Sequence, residues 1–287
     1  MKPDPRFVNL PKDFWANVRL ISQEVGYKVR GCEQVKVPSS DEIQQVLSAI
    51  GLQSDHLFER TGAPTELGDA LLDYFTHRAR VLHDYVEPLL MTAEQAKALY
   101  KRLRAQLKPK CPIPLNKQSG KKKAPAFFTA IVNMLIEAAI KHEPCDYDPR
   151  ILTTVTRNGK AIRTLARRVD GAFPSAVNPV AIWEIKEYYY TTTFGSRVAD
   201  GVYETLLDGM ELEELRTTEG IDVRHYLMID ARYTWWECGL SYLCRIVDML
   251  HMGYVDEVLV GREVETRLPE LVREWVRAAD RTARDER

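Results

Sequence analysis

Between Lys108 and Pro125 the chain reads KPKCPIPLNKQSGKKKAP, and this stretch constrains the fold more than any other. Proline offers no backbone N–H and fixes its own φ, so Pro109, Pro112 and Pro114 exclude both a helix and a central strand. The pattern predicts an irregular connector over residues 108–124, with a domain on each side, 1–107 and 125–287. Apolar residues make up 45% of the 287 and charged residues 28%, enough to bury a full core. The same values exclude a disordered chain, a collagen-like repeat and a disulfide scaffold.

The two sides carry different periods. Before the connector, apolar residues follow helical spacing: Phe14, Trp15, Val18, Ile21 and Val25 after Pro11, then Ile43, Val46 and Leu47 after a Ser39–Glu42 capping box. Leu71, Leu72 and Phe75 mark a third helix, and a Thr92–Gln95 box opens a fourth with Leu99 and Leu103. An all-helical N-terminal domain is expected. After the connector, a helix from Pro125 to Lys141 precedes the β-branched run Ile151–Thr156. Asn158-Gly159 is a hairpin turn, with a returning strand over Lys160–Phe173 and a third over Val180–Tyr189. Helices at 196–215, 235–252 and 265–281 then alternate with strands at 223–229 and 257–260. This αβββαβ order followed by αβα predicts an α/β fold, a mixed central sheet flanked by helices.

Charge is distributed unevenly around a net value of −1. No acid occurs from Gln95 to Ile136, where ten lysines and arginines stand, whereas Asp200–Asp222 holds eight acids against the single base Arg216. A basic middle of this kind attracts a polyanion despite the neutral total. The five cysteines have no CxxC spacing, so neither a zinc ribbon nor a redox motif is written here. The opening MKPDPRFVNLPKDFW lacks a signal pattern, and the longest apolar run is too short and too polar for a membrane span. A cytoplasmic protein with no membrane contact is expected.

The chemistry concentrates on the third strand, VAIWEIKEY. Side chains alternate across a strand, so Glu184 and Lys186 share one face while Trp183 and Ile185 enter apolar packing on the other. Charged groups on a central strand must be paired or functional. If the second and third strands are neighbours, Asp170 lies beside Glu184. Two carboxylates held close repel unless a cation joins them, and hard oxygen ligands of this kind suit Mg²⁺. Lys186 then stands where it can orient an attacking water and offset phosphate charge.

Asp170, thirteen intervening residues, then Glu184-Ile185-Lys186, set in αβββαβ order, resembles the PD-(D/E)XK nuclease superfamily, which includes most type II restriction endonucleases. The resemblance covers residues 125–231 and departs from the pattern at Val169, where proline is frequent. It implies that Asp170 and Glu184 bind Mg²⁺ and that Lys186 contacts the nucleophilic water and the scissile phosphate. It also implies a supporting role near the metal for Glu137, on the first core helix. Lys121, Lys122, Lys123, Arg163, Arg167, Arg168 and Arg197 are the expected DNA-binding residues, forming a salt-sensitive phosphate-tracking surface.

The resulting expectation is a Mg²⁺-dependent DNA endonuclease of restriction type. It would work as a homodimer, because cutting both strands of a duplex takes two active sites. The alternatives are a non-specific defence or repair nuclease of the same fold and a non-catalytic nucleic-acid-binding module.

Overall fold

The computed structural model describes residues 1–118, 121–140, 142–189 and 196–285, with backbone alone at 116–118, 121–124, 196 and 282–285. In chain order the helices α1 (Lys12–Val25), α2 (Ser40–Ala49), α3 (Glu66–Val81), the short α4 (Glu87–Leu89) and α5 (Ala93–Leu107) precede a hairpin, β1 (Leu115–Gln118) and β2 (Lys121–Pro125). Then come α6 (Phe127–Ile140), β3 (Thr154–Arg157), β4 (Lys160–Thr164), β5 (Gly171–Phe173) and β6 (Ala181–Glu187). The chain ends with α7 (Ser196–Glu219), β7 (Arg224–Asp230), α8 (Leu240–His251), β8 (Glu257–Val260) and α9 (Val264–Asp285). It is a mixed α/β fold that divides into two compact units.

The smaller unit comprises Pro3–Pro88 with Trp235–Gly253. Both halves of a capping box start α2: the Ser39 hydroxyl accepts the Glu42 N–H, and the Glu42 carboxylate accepts the Ser39 N–H. Phe14, Trp15, Val18 and Ile21 of α1 pack with Ile43, Leu47, Leu71, Tyr74 and Phe75 in one apolar cluster. Within it lies a buried ion pair, Arg78 of α3 to Asp248 of α8 at 3.0 Å, with Tyr74 donating its hydroxyl to the same carboxylate at 2.6 Å.

The larger unit comprises Met1–Lys2, Leu89–Thr234 and Tyr254–Arg287. The boundary expected at residue 107 therefore falls inside it, because Ala96, Leu99, Tyr100 and Leu103 of α5 join the same apolar cluster as α6 and α9. The connector also differs from expectation. Pro112 and Pro114 precede β1 and Pro125 ends β2, so no proline interrupts the antiparallel β1–β2 ladder. Asn158 and Gly159, with φ of 53° and 72°, form the two-residue hairpin turn between β3 and β4.

Lys160–Phe173 is not one strand. β4 stops at Thr164, β3–β4 forms its own two-stranded sheet, and the chain re-enters extended pairing only at β5. The four-stranded sheet has the order β5-β6-β7-β8, with β5 antiparallel to β6 and the other pairs parallel. One position explains the restart. A Cβ on Gly171 would fall 2.1 Å from the Trp183 indole, so only glycine lets β5 lie flat over that ring. Trp183, Ile185, Tyr226 and Met228 pack with α6 and α9 in one cluster, whereas Ile182 packs with Leu212 and Leu215 of α7 in another.

Among the described residues no helix is long and apolar enough to cross a membrane.

Candidate active site

β6 is buried along nearly its whole length, as a strand paired on both sides must be. Its alternation puts Glu184, fully buried, and Lys186, 8% exposed, on the side that α7 covers. The Lys186 ammonium donates to Glu184 Oε2 at 2.8 Å and to Glu204 Oε2 of α7 at 3.0 Å. Asp170 stands one residue before β5. Its N–H donates to the Trp183 carbonyl at 3.2 Å and to Glu184 Oε1 at 3.3 Å, and its Oδ2 accepts the Ile185 N–H at 2.7 Å. Asp170, Glu184 and Lys186 are thus drawn together at the β5–β6 edge.

Arg167, on the turn leading to Asp170, enters the same cluster. Its guanidinium meets Glu184 at 2.9 Å, Asp208 of α7 at 2.6 Å and Glu204 at 3.3 Å. Glu204 and Asp208 are one helical turn apart, so both reach the sheet from one stripe of α7. Close approach of that helix depends on Gly201, where a Cβ would fall 2.6 Å from the Tyr188 hydroxyl and 3.1 Å from Lys186 Cδ.

Four carboxylates here face two cations, a formal excess of two negative charges. Burial, reinforced by the charge of Glu184, pushes the Asp170 carboxyl up to about 6 and Asp208 up to about 7. Burial acts in the same direction on Glu184, but Lys186 and Arg167 overcome it and hold that carboxyl below its ordinary value. Burial lowers the proton affinity of Lys186, yet Glu184 and Asp170 more than offset it and keep the ammonium charged. One oxygen of Asp208 is buried with no hydrogen-bond partner. A divalent cation suits this donor set, since it would neutralise the excess and favour the ionised forms. Among the described residues no three His, Cys, Asp or Glu side chains are arranged to hold a metal by themselves. Mg²⁺ asks for less, taking one or two carboxylates with water and phosphate completing its shell.

The other expected site residues lie elsewhere or are otherwise engaged. Glu137 accepts the Lys110 N–H at 2.9 Å, and Asn133 of the same helix donates to the Pro112 carbonyl at 3.1 Å. That polar stripe pins the connector to α6 and does not enter the carboxylate cluster. Arg163 pairs with Glu214 of α7 at 2.8 Å, and Arg167 is committed to the cluster. Arg168 and Arg197 are exposed. The side chains of Lys121, Lys122 and Lys123 lie outside the described residues, as does the run from Tyr190 to Gly195.

Sequence reasoning missed Glu204 and Asp208. Their signal was present as two acids at i, i+4 in the helix after the Glu-Ile-Lys strand, but helical acids ordinarily read as a solvated face.

Residues 1–85 match a family model described as Domain of unknown function (DUF7690), and residues 91–275 match a second model. The segments meet within a few residues of Pro88, where the smaller unit's first segment ends. No curated protein and no solved structure matches the chain. The second model spans the whole carboxylate cluster and more than half of the chain, and the protein belongs to the family it describes, Domain of unknown function (DUF7687).

Proposed function

We propose that this protein is a Mg²⁺-dependent DNA endonuclease of the PD-(D/E)XK type. The observation that carries the reading is the shared hydrogen bonding of three groups. The Asp170 N–H and the Lys186 ammonium both bond the Glu184 carboxylate, while the Asp170 carboxylate bonds the N–H of Ile185 between them. The order α6, β3–β4, β5, β6, α7, β7 has four strands where the resemblance expects three, with β3–β4 in a sheet of its own; what supports the reading is the Glu-Ile-Lys strand between an antiparallel and a parallel neighbour.

Asp170 and Glu184 are the residues that would hold Mg²⁺, which when bound supplies Lewis-acid polarisation of a phosphoryl oxygen and acidifies water. Lys186, kept protonated among carboxylates, offers a point charge to the phosphate as negative charge develops in in-line attack. Arg167 acts one step back, holding Glu184 and Asp208 in position. Duplex cleavage takes two such sites, so the reading includes a homodimer.

The test is incubation of the protein with mixed duplex DNA in Mg²⁺ and, separately, in EDTA. Cleavage in Mg²⁺ alone is expected, with discrete fragments from a restriction-type enzyme and a smear from a non-specific defence or repair nuclease. Lys186→Ala and Glu184→Ala should each lower the cleavage rate by about 10²-fold or more, the scale for losing one transition-state charge contact. DNA binding should survive in both variants. DNA left intact by the parent protein, or full activity in either variant, overturns the proposal.

A further inference from the structure

We infer that one face of α5 is a row that grips the phosphate backbone of duplex DNA. Lys97, Lys101 and Arg104 stand at i, i+4 and i+7 of the helix, and Lys108 continues the row at its C-cap; all four are exposed. At 3.6 residues per turn these positions fall within an arc of about 60° and span about 17 Å. The opposite face is apolar and buried, with Ala96, Leu99, Tyr100 and Leu103.

Local stability does not account for this placement. Like charges at i, i+4 repel, and a solvated helix ordinarily interleaves acids with its bases. The helix dipole favours cations in the last turn only, which covers Arg104 and Lys108 and leaves Lys97 and Lys101 unexplained. Arg102 stands on the other flank, and it is the cation of this helix that has an acid, pairing with Glu265 at 2.7 Å. Among the described residues no ion pair involves Lys97, Lys101 or Lys108. Arg104 donates to the Tyr100 hydroxyl at 3.1 Å.

A regular row of unpaired cations is complementary to a regular row of phosphates. Ala98 and Ala105 stand among the charges on the exposed side, instead of the large apolar residues that a membrane-surface helix inserts. The inference rests on the nucleic-acid reading above and adds to it a binding surface apart from the carboxylate cluster. α5 packs with α6 and α9, away from the α7 side of the sheet, so the row holds the duplex and does not present the scissile phosphate.

The test is binding of a labelled random-sequence duplex in EDTA, so that no cleavage intervenes, over a series of salt concentrations. Each phosphate contact contributes about 0.9 to the slope of log K against log salt. The triple variant Lys97→Gln, Lys101→Gln, Lys108→Asn should flatten the slope by about three. Arg102→Gln, outside the row, should leave it unchanged. An unaltered slope in the triple variant, or equal loss in both variants, overturns the inference. So does binding to phosphatidylserine vesicles with none to the duplex. The two proposals fail separately: salt-sensitive binding through the row without Mg²⁺-dependent cutting sinks the nuclease reading alone. Cutting with an unaltered triple-variant slope sinks the row alone.

Discussion

Arg78 and Asp248 show what a buried charge demands. The guanidinium is 1% exposed and the carboxylate about as hidden, and the pair is completed by the Tyr74 and Ser22 hydroxyls. Each charge is tolerable only because the other is present. Asp248→Ala should therefore cost the smaller unit about 3–5 kcal/mol, the usual loss when one buried partner is left unpaired. The double variant Arg78→Met, Asp248→Leu should recover most of that loss, because it removes both charges and keeps apolar volume. Urea unfolding of the three proteins decides it, and a double variant no better than the single one refutes the account. The carboxylate cluster of the larger unit differs in kind. There four acids meet two bases, and the imbalance is what marks it as a candidate site.

At the scale of elements, two glycines decide how close α7 comes to its neighbours, Gly201 to β6 and the residue after it and Gly209 to the turn before β8. An interior helical glycine replaced by alanine ordinarily gains about 0.8–1 kcal/mol. Here both replacements should lose stability. A Cβ on Gly209 would meet the backbone carbonyl of Tyr254 at 2.3 Å, which cannot step aside, whereas a Cβ on Gly201 meets the far end of the Tyr188 side chain. Gly209→Ala should therefore lower the thermal midpoint more than Gly201→Ala. Gly201→Ala should fall mainly on cleavage, since it pushes Glu204 away from Lys186. Calorimetry beside a cleavage assay separates them, and a stabilised Gly209→Ala protein would contradict the close packing. Much of this architecture was legible in the sequence because it is local. The capping boxes at Ser39 and Thr92, the Asn158-Gly159 turn and the alternation of Glu184 with Trp183 each rest on a few neighbouring residues. The β1–β2 hairpin was not legible, because proline composition hides that the prolines sit before its ladder or at its last position. Nor was the new start of pairing at Gly171, which lies over Trp183, twelve residues further on. Arg167 read as a phosphate contact for a similar reason: its true partners, Glu184, Glu204 and Asp208, are brought to it only by the fold.

Across the whole molecule, the two units should respond to acid in opposite directions. In the larger unit burial raises Asp170 to about 6 and Glu187, Asp208 and Asp230 to about 7. Carboxyls raised on folding add stability that is full below their unfolded values near 4 and is lost as pH climbs through 6 to about 7. His225 opposes them, since burial lowers it and the unfolded chain takes its proton near pH 6.5. Glu184, held below its ordinary value, loses stability only at pH beneath this window, so within it four groups against one leave acidification stabilising. The smaller unit has no such carboxyls; burial lowers His77 to about 4, helped by the neighbouring His251, and lowers His251 as well. Both are kept neutral by the fold and protonated in the unfolded chain, so stability is lost as pH falls below about 6.5. The carboxylate of Asp4, held near 2 by hydrogen bonding to Arg6, titrates below this window and does not mask the effect. Hydrogen exchange in EDTA at about pH 7 and pH 5, corrected for the intrinsic rate of each amide, reads the units separately. Buried amides of β6 and β7 should gain protection at the lower pH, and those of α1 and α3 should lose it. A shift in the same direction in both units would mean that these buried groups do not carry the pH dependence.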